Sequence, residues 1–359
     1  MTDFLIIGGG IAGTSLGARL APHGHVTLIE AEDALAYHAS GRSAALYEQT
    51  YGLPSTIALN IASREDHFTL DGGVLSPRGL MLIELDDPGA FDRDMEIMQM
   101  HEMPRDDAHA LVPILNSETT GRIGFHAESW DIDTDRLVQH FARTIRDHGG
   151  EVITGAPVTA IRKDPAKGWE VDTNQGTHAG RLLCNAAGAW ADELAAMAGV
   201  HDLGLTPLRR SMARLAAPGG HDVSRWPMMF GPGEDWYAKP DAGALIVSPA
   251  EEDPSAPMDA WADDMVLAEG LARYQEAVTE PVTKPLATWA GLRTFTPDRN
   301  LAIGFAADDP TFFWCAGQGG YGFQTSPAAS QFGADVILGR PSVLDAATRA
   351  ALDPARFAA

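Results

Sequence analysis

A chain of 359 residues with 45% hydrophobic and 21% charged residues can bury a large core, which excludes a disordered or fibrous protein. Its formal net charge of −23 argues against a nucleic-acid partner and requires any anionic ligand to meet a local cation. No apolar run reaches the roughly 20 residues of a membrane span, and the two cysteines, Cys184 and Cys315, give no disulfide framework, so a cytoplasmic setting is expected.

The first strand is expected at Phe4-Leu5-Ile6-Ile7, early enough to leave no room for a signal peptide. Gly8-Gly9-Gly10-Ile11-Ala12-Gly13 follows it with G-x-G-x-x-G spacing, and residues 14–20 read as a helix. Gly8 permits a tight turn, Gly10 lets backbone approach a pyrophosphate, and Gly13 allows the helix to pack closely on the strand. The phosphates then sit on a helix N-terminus, where unpaired N–H groups and the dipole favour negative charge. A second strand, Val26-Thr27-Leu28-Ile29, ends in Glu30, about 20 residues after the first glycine, where an acid accepts from ribose hydroxyls. Strand, helix, second strand and acid in this order predict a bound dinucleotide.

Further along, residues 37–45 are polar and small, suited to pressing a loop against a flat ligand. Residues 57–70 read as a helix and 80–85 as a buried strand. Residues 134–148 form an amphipathic pattern with Leu137, Phe141 and Ile145 on one face and Asp133 as N-cap. Strands are expected at 151–153, 158–161, 169–171 and 182–184, the last running into Asn185-Ala186-Ala187-Gly188-Ala189-Trp190. From Pro207 to about Pro285 the strands are interrupted by prolines, as a second, mostly antiparallel lobe would be. The chain then returns through strands at 301–304 and 312–315 to Gly317-Gln318-Gly319-Gly320-Tyr321-Gly322 and a helix over 324–338. The expected architecture is α/β: a Rossmann-like domain (residues 1–75, 140–206 and 286–359) interleaved with an α+β substrate domain on a mostly antiparallel sheet (76–139 and 207–285). No metal site is expected.

The second glycine run aims another helix N-terminus at the ligand. A nicotinamide enzyme has no use for it, whereas a reduced isoalloxazine carries negative charge that such a terminus stabilises, so FAD is the expected cofactor. With these motifs in place, the chain resembles the FAD-dependent superfamily of D-amino-acid oxidase, glycine oxidase and sarcosine oxidase. Within it the chain is most similar to bacterial FAD-dependent D-arginine dehydrogenases. The resemblance runs from Asp3 to about Leu338. It rests on the glycine motifs, His38-Ala39-Ser40-Gly41-Arg42-Ser43-Ala44-Ala45, Asp131-Ile132-Asp133-Thr134-Asp135, Asn185 to Trp190, and Trp289-Ala290-Gly291-Leu292-Arg293.

The resemblance implies that Gly8, Gly10, Ala12, Gly13, Glu30, Ala31, Ser40, Gly41, Arg42, Ser43, Ala44, Ala45, Val158, Gly188, Gly319, Gly320, Tyr321, Gly322 and Gln324 form the FAD site. It implies that Arg210 and Arg293 hold a substrate carboxylate. Arg209 is the poorer candidate because strand neighbours face opposite sides. Tyr51 and Tyr237 close the pocket, and the Gly320 carbonyl accepts a hydrogen bond from the substrate amine. Sarcosine oxidases tether flavin through a cysteine where this chain has Gly291, so non-covalent FAD is expected. Two positions depart from the D-arginine pattern: Leu80 replaces the acid that pairs with the guanidinium, and Leu46 replaces a histidine. A substrate cation facing two leucines without a counter-charge would cost several kcal/mol, so an apolar or small D-amino acid is expected instead. The resulting reading is oxidative deamination to a 2-oxo acid through an imino acid, with the electron acceptor undetermined. The alternatives are a secondary-amine oxidase acting on sarcosine, glycine or a proline derivative, a 2-hydroxy-acid dehydrogenase, and a flavin-binding protein without activity.

Overall fold

The computed structural model of the chain describes residues 2–164 and 168–358. Strand Thr2–Ile7 lies at the centre of an eight-stranded sheet, parallel to Val26–Ile29 on one side and Gly176–Asn185 on the other. Glu151–Ile153 extends it in parallel beyond Val26–Ile29. Phe312–Ala316 joins Gly176–Asn185 in parallel and pairs antiparallel with Ala302–Phe305, and the antiparallel meander Val158–Asp164, Gly168–Thr173 and Gly176–Asn185 completes the sheet. The central strand is buried on both faces, as its unbroken apolar run dictates.

Helices Ile11–Leu20, Thr134–Asp147, Pro54–Thr69 and Gly322–Ile337 form one packed layer with this sheet. Thr134–Asp147 buries Leu137, Val138, Phe141, Ala142 and Ile145, and Asp133 caps it by accepting from the Arg136 N–H at 3.0 Å. That helix was expected to straddle the lobe boundary; its whole apolar face joins the core of the first sheet.

The second sheet has nine strands and is antiparallel except where Met228–Phe230 runs parallel to Leu80–Ile83. It runs through Asp253–Pro254, Thr206–Ala216, Ala244–Ser248, Tyr237–Asp241, Met228–Phe230, Leu80–Ile83, Ile123–His126 and His101–Glu102. Ala287–Phe295, expected to begin the return to the first lobe, pairs with Thr206–Ala216 along its whole length. The two long strands bury a common apolar face, and their register outweighs the change in texture after Pro285. A small sheet of Leu46–Glu48, Ser129–Ile132 and Leu75–Pro77 lies between the two. Asp131 at its centre ties the lobes together: it pairs with Lys239 of the second sheet at 2.8 Å and accepts from Arg78.

Candidate active site

The first helix begins at Ile11, three residues earlier than the sequence pattern predicts, so Gly13 lies inside its first turn. Gly8 has φ +110, and a Cβ there would lie 2.3 Å from the Ala186 carbonyl oxygen. A Cβ on Gly13 would lie 2.0 Å from the Gly8 carbonyl oxygen, so this glycine packs helix on strand rather than lining a cavity. Gly10 precedes the helix and offers it no side chain; the Ile11 N–H donates to Ser40 Oγ at 3.1 Å, and the next N–H groups of the first turn have no side-chain acceptor among the described residues. The second glycine run starts helix Gly322–Ile337, without a side-chain cap.

Both helix starts face one chain of cavities. The outer end, of about 380 Å³, is lined by Gly8, Gly10, Glu30, Ala31, Val158 and Trp190, among others. Here Glu30 accepts from the N–H groups of Gly9 (2.5 Å) and Glu32 (2.9 Å), which fixes its carboxylate beside the glycine turn. A middle cavity of about 120 Å³ is bounded by Gly10, Ala12, Ser40, Arg42, Ser43, Gly188, Gly319, Gly320 and Gly322. The innermost, of about 90 Å³, is lined by Ala44, Ala45, Leu46, Tyr51, Leu80, Arg210, Tyr237, Arg293, Gly320 and Gln324. Tyr321 faces none of the three; it lines a further cavity of about 250 Å³ beyond Tyr51 and Arg293. Gly41 also stands behind the wall, with a would-be Cβ 2.2 Å from the Ala36 carbonyl oxygen.

Arg42 lines the cavities, but its guanidinium is already engaged. It donates to the carbonyls of Ala260 and Ala290 at 2.9 Å and pairs with Asp259 at 2.5 Å, pinning the loop to strand Ala287–Phe295. Two polar groups at the cavities are buried without a partner, Gln324 Nε2 and Thr294 Oγ1. Orphaned polar groups of this kind, two helix starts at the cavities and a glycine-lined cradle fit an extended dinucleotide such as FAD. Neither cysteine lines a cavity, and both thiols are pushed up by burial, Cys315 to about 12.

Arg210 and Arg293 come together on neighbouring strands, with Leu208 opposite Arg293 and Arg210 opposite Gly291. Arg210 donates from Nε to the Glu251 carbonyl at 2.9 Å and lies 3.4 Å from Glu252; burial, and then Arg293, lower its pKa. Among the described residues, nothing accepts a hydrogen bond from the Arg293 guanidinium. Burial opposes its charge, yet Tyr237, Tyr51, Glu234 and Glu252 outweigh it and raise its pKa. Arg209 points away, toward Asp253 at 3.7 Å.

The site holds groups that the sequence reading missed. Glu234 and Glu48 both line the innermost cavity, so the expected pocket of leucines without a counter-charge is corrected: two carboxylates stand beside Leu46 and Leu80. The Tyr51 hydroxyl donates to Glu234 at 2.7 Å; burial raises the pKa of both groups. Met98, Met228 and Phe230 complete the apolar wall. Glu234 stands in a Gly-Pro-Gly turn far along the chain from Tyr51, and no local pattern brings the two together. Glu48 could have been found, being two residues from Leu46 on one strand and hence on its face.

Comparison with known proteins agrees with this geometry. Residues 3–336 match the DAO family of FAD dependent oxidoreductases. The chain is 24% identical over 234 residues to hydrogen cyanide synthase subunit HcnC of Pseudomonas aeruginosa, a match that covers 64% of this chain and 54% of that protein. It thus spans about half the length of that relative. It is 26% identical to glycine oxidase of Bacillus licheniformis over 94% of both chains. L-proline dehydrogenase of P. horikoshii superposes with a TM-score of 0.84 at 22% identity, covering 99% of this chain and 98% of the other, which shows a shared fold. The chain therefore belongs to the DAO family of FAD-dependent oxidoreductases.

Proposed function

We propose that the protein oxidises the amine of a small or apolar amino acid, a D-amino acid foremost, to an imino acid that water converts to the 2-oxo acid and ammonia. The observation that carries this reading is the half-buried Arg293 guanidinium, facing the innermost cavity without an acceptor among the described residues. A planar guanidinium grips a carboxylate through two parallel hydrogen bonds, and Arg210 stands beside it to share the anion. Gly8, Gly10, Glu30, Ser40, Gly319, Gly320 and Gly322 would hold FAD non-covalently along the cavities, and the cofactor would supply the hydride acceptor for the substrate Cα. The Gly320 carbonyl orients the amine, which must be neutral before the hydride leaves. Leu46, Leu80, Met98, Met228 and Phe230 take the side chain and exclude water. Tyr51 and Tyr237 close the cavity from either side.

L-proline dehydrogenase among the similar proteins keeps a secondary-amine substrate as the second reading. A 2-hydroxy acid fits less well, because among the described residues no histidine lines the innermost cavity to take the hydroxyl proton. The test is anaerobic mixing of the FAD-loaded protein with both enantiomers of leucine, methionine, phenylalanine and arginine, and with sarcosine, glycine and proline, while flavin absorbance is followed. Bleaching by apolar D-amino acids supports the first reading and bleaching by N-substituted substrates alone the second. A flavin that none of them reduces refutes both.

A further inference from the structure

The innermost cavity has a carboxylate in its wall that the reading above leaves without a task. Glu48 lines this cavity on the strand face it shares with Leu46, and its side chain is 3% exposed. Every lone pair is answered. Oε1 accepts from the N–H and hydroxyl of Thr50 at 3.2 and 2.9 Å; Oε2 accepts from the Ser129 hydroxyl and lies 3.1 Å from His126 Nδ1. His126 stands directly across from Leu80 in the second sheet, so both lobes contribute to this cluster. The Glu48 N–H reaches Gln324 Oε1 at 3.3 Å, one helical turn from Gly320, the carbonyl assigned to the amine.

We propose that Glu48 is the specificity-determining residue for the positively charged nitrogen of the substrate, a fixed anion in the cavity wall that complements the Arg210–Arg293 pair. This deepens the proposed function and rests on it. An amino acid brings two opposite charges into a site of low dielectric, and the arginines answer only one. As hydride leaves Cα, the nitrogen lone pair forms the C=N bond, and positive charge grows on that nitrogen. An ionised carboxylate already in place stabilises this charge without rearranging. With its acceptor positions filled, Glu48 acts through its field rather than by taking a proton, and His126, Ser129 and Thr50 are positioning residues.

Glu234, the other carboxylate of the cavity, is less suited. It is held by Tyr51 and faces Arg293, on the side of the substrate carboxylate, and burial favours its neutral form. For Glu48 burial acts in the same direction, but the hydrogen bonds from His126 and Ser129 overcome it and keep the group ionised.

Glu48→Gln tests the proposal because it keeps shape and contacts: the new amide can donate to Ser129 Oγ and His126 Nδ1 while its oxygen still accepts from Thr50. FAD content and thermal midpoint verify folding. Two ligands are compared on the holoenzyme: D-leucine, by anaerobic flavin reduction, and 4-methylpentanoate, the same skeleton without the amine, by titration of the flavin spectrum. The variant should lose roughly 100-fold in reduction rate over half-saturating concentration for D-leucine, and Glu48→Asp should recover part of it. Its dissociation constant for 4-methylpentanoate should stay within about threefold of wild type. Unchanged reduction by D-leucine, or equal weakening of both ligands, overturns the proposal. A wild-type protein that responds to neither ligand instead overturns the substrate reading on which it rests.

Discussion

Replacing Arg293 by methionine should lower activity far more than stability. The half-buried guanidinium lines the innermost cavity, and among the described residues nothing accepts a hydrogen bond from it. Tyr237, Tyr51, Glu234 and Glu252 are the groups that offset the desolvation of its charge. Glu252 is shared with Arg210 and Arg299, at 3.4 and 2.8 Å. A bidentate grip on a substrate carboxylate consists of two charge-assisted hydrogen bonds of about 1.5–3 kcal/mol each. Losing both should therefore lower kcat/KM by roughly two to four decades, at 1.36 kcal/mol per decade. A linear apolar side chain removes the desolvation of the charge together with the neighbouring groups' compensation of it, and no hydrogen bond to the fold is lost, so stability should change by less than about 1 kcal/mol. Anaerobic stopped-flow reduction gives the first quantity and urea unfolding of the FAD-free protein the second. A variant that reduces flavin at the wild-type rate would refute the carboxylate clamp. One that loses about 2 kcal/mol of stability would show that Arg293 holds the fold rather than a ligand.

Glu30→Ala removes the acceptor of the Gly9 and Glu32 N–H groups at the outer cavity, and should weaken FAD binding by roughly ten- to a hundredfold, measured by equilibrium dialysis. In Gly320→Ala the new Cβ would lie 3.0 Å from Arg293 Nη1, so the guanidinium must shift; KM should rise about tenfold with FAD affinity unchanged, as steady-state kinetics and flavin titration will show. Leu80→Glu adds a carboxylate to the apolar wall and should raise the kcat/KM ratio of D-arginine to D-leucine by at least tenfold; an unaltered ratio would place the substrate side chain elsewhere. His126 is held above its ordinary pKa, foremost by its hydrogen bond with Glu48, so its stabilising effect is full below about pH 6.5 and fades as pH rises through the folded value. The stability difference between wild type and His126→Gln should therefore shrink on going from pH 6 to above that value, as denaturant midpoints at several pH values will reveal.

The nucleotide end of the molecule was legible in the chain itself. There each requirement is local: a glycine where the backbone turns at Gly8, another where the helix presses on the strand at Gly13, an acid at the end of the next strand at Glu30. Strand and helix periods carried this lobe, and the helix of residues 134–147 was found by pattern and cap alike. Arg210 and Arg293 were assigned by resemblance; the structure adds that they lie on paired strands and that Arg293 is left without an acceptor.

Tertiary structure completed the charge of the innermost cavity. Glu234 reaches Tyr51 across 183 positions, and Glu48 gathers Ser129 and His126 from two different sheets. Hydrogen bonds between such distant residues leave no period or spacing in the chain, so Glu234 was not visible beside the leucines at 46 and 80, whereas Glu48 shares a strand face with Leu46. The strand of residues 287–295 joined the second sheet for a related reason: backbone pairing with residues 206–214 is a non-local contact, which local composition does not encode.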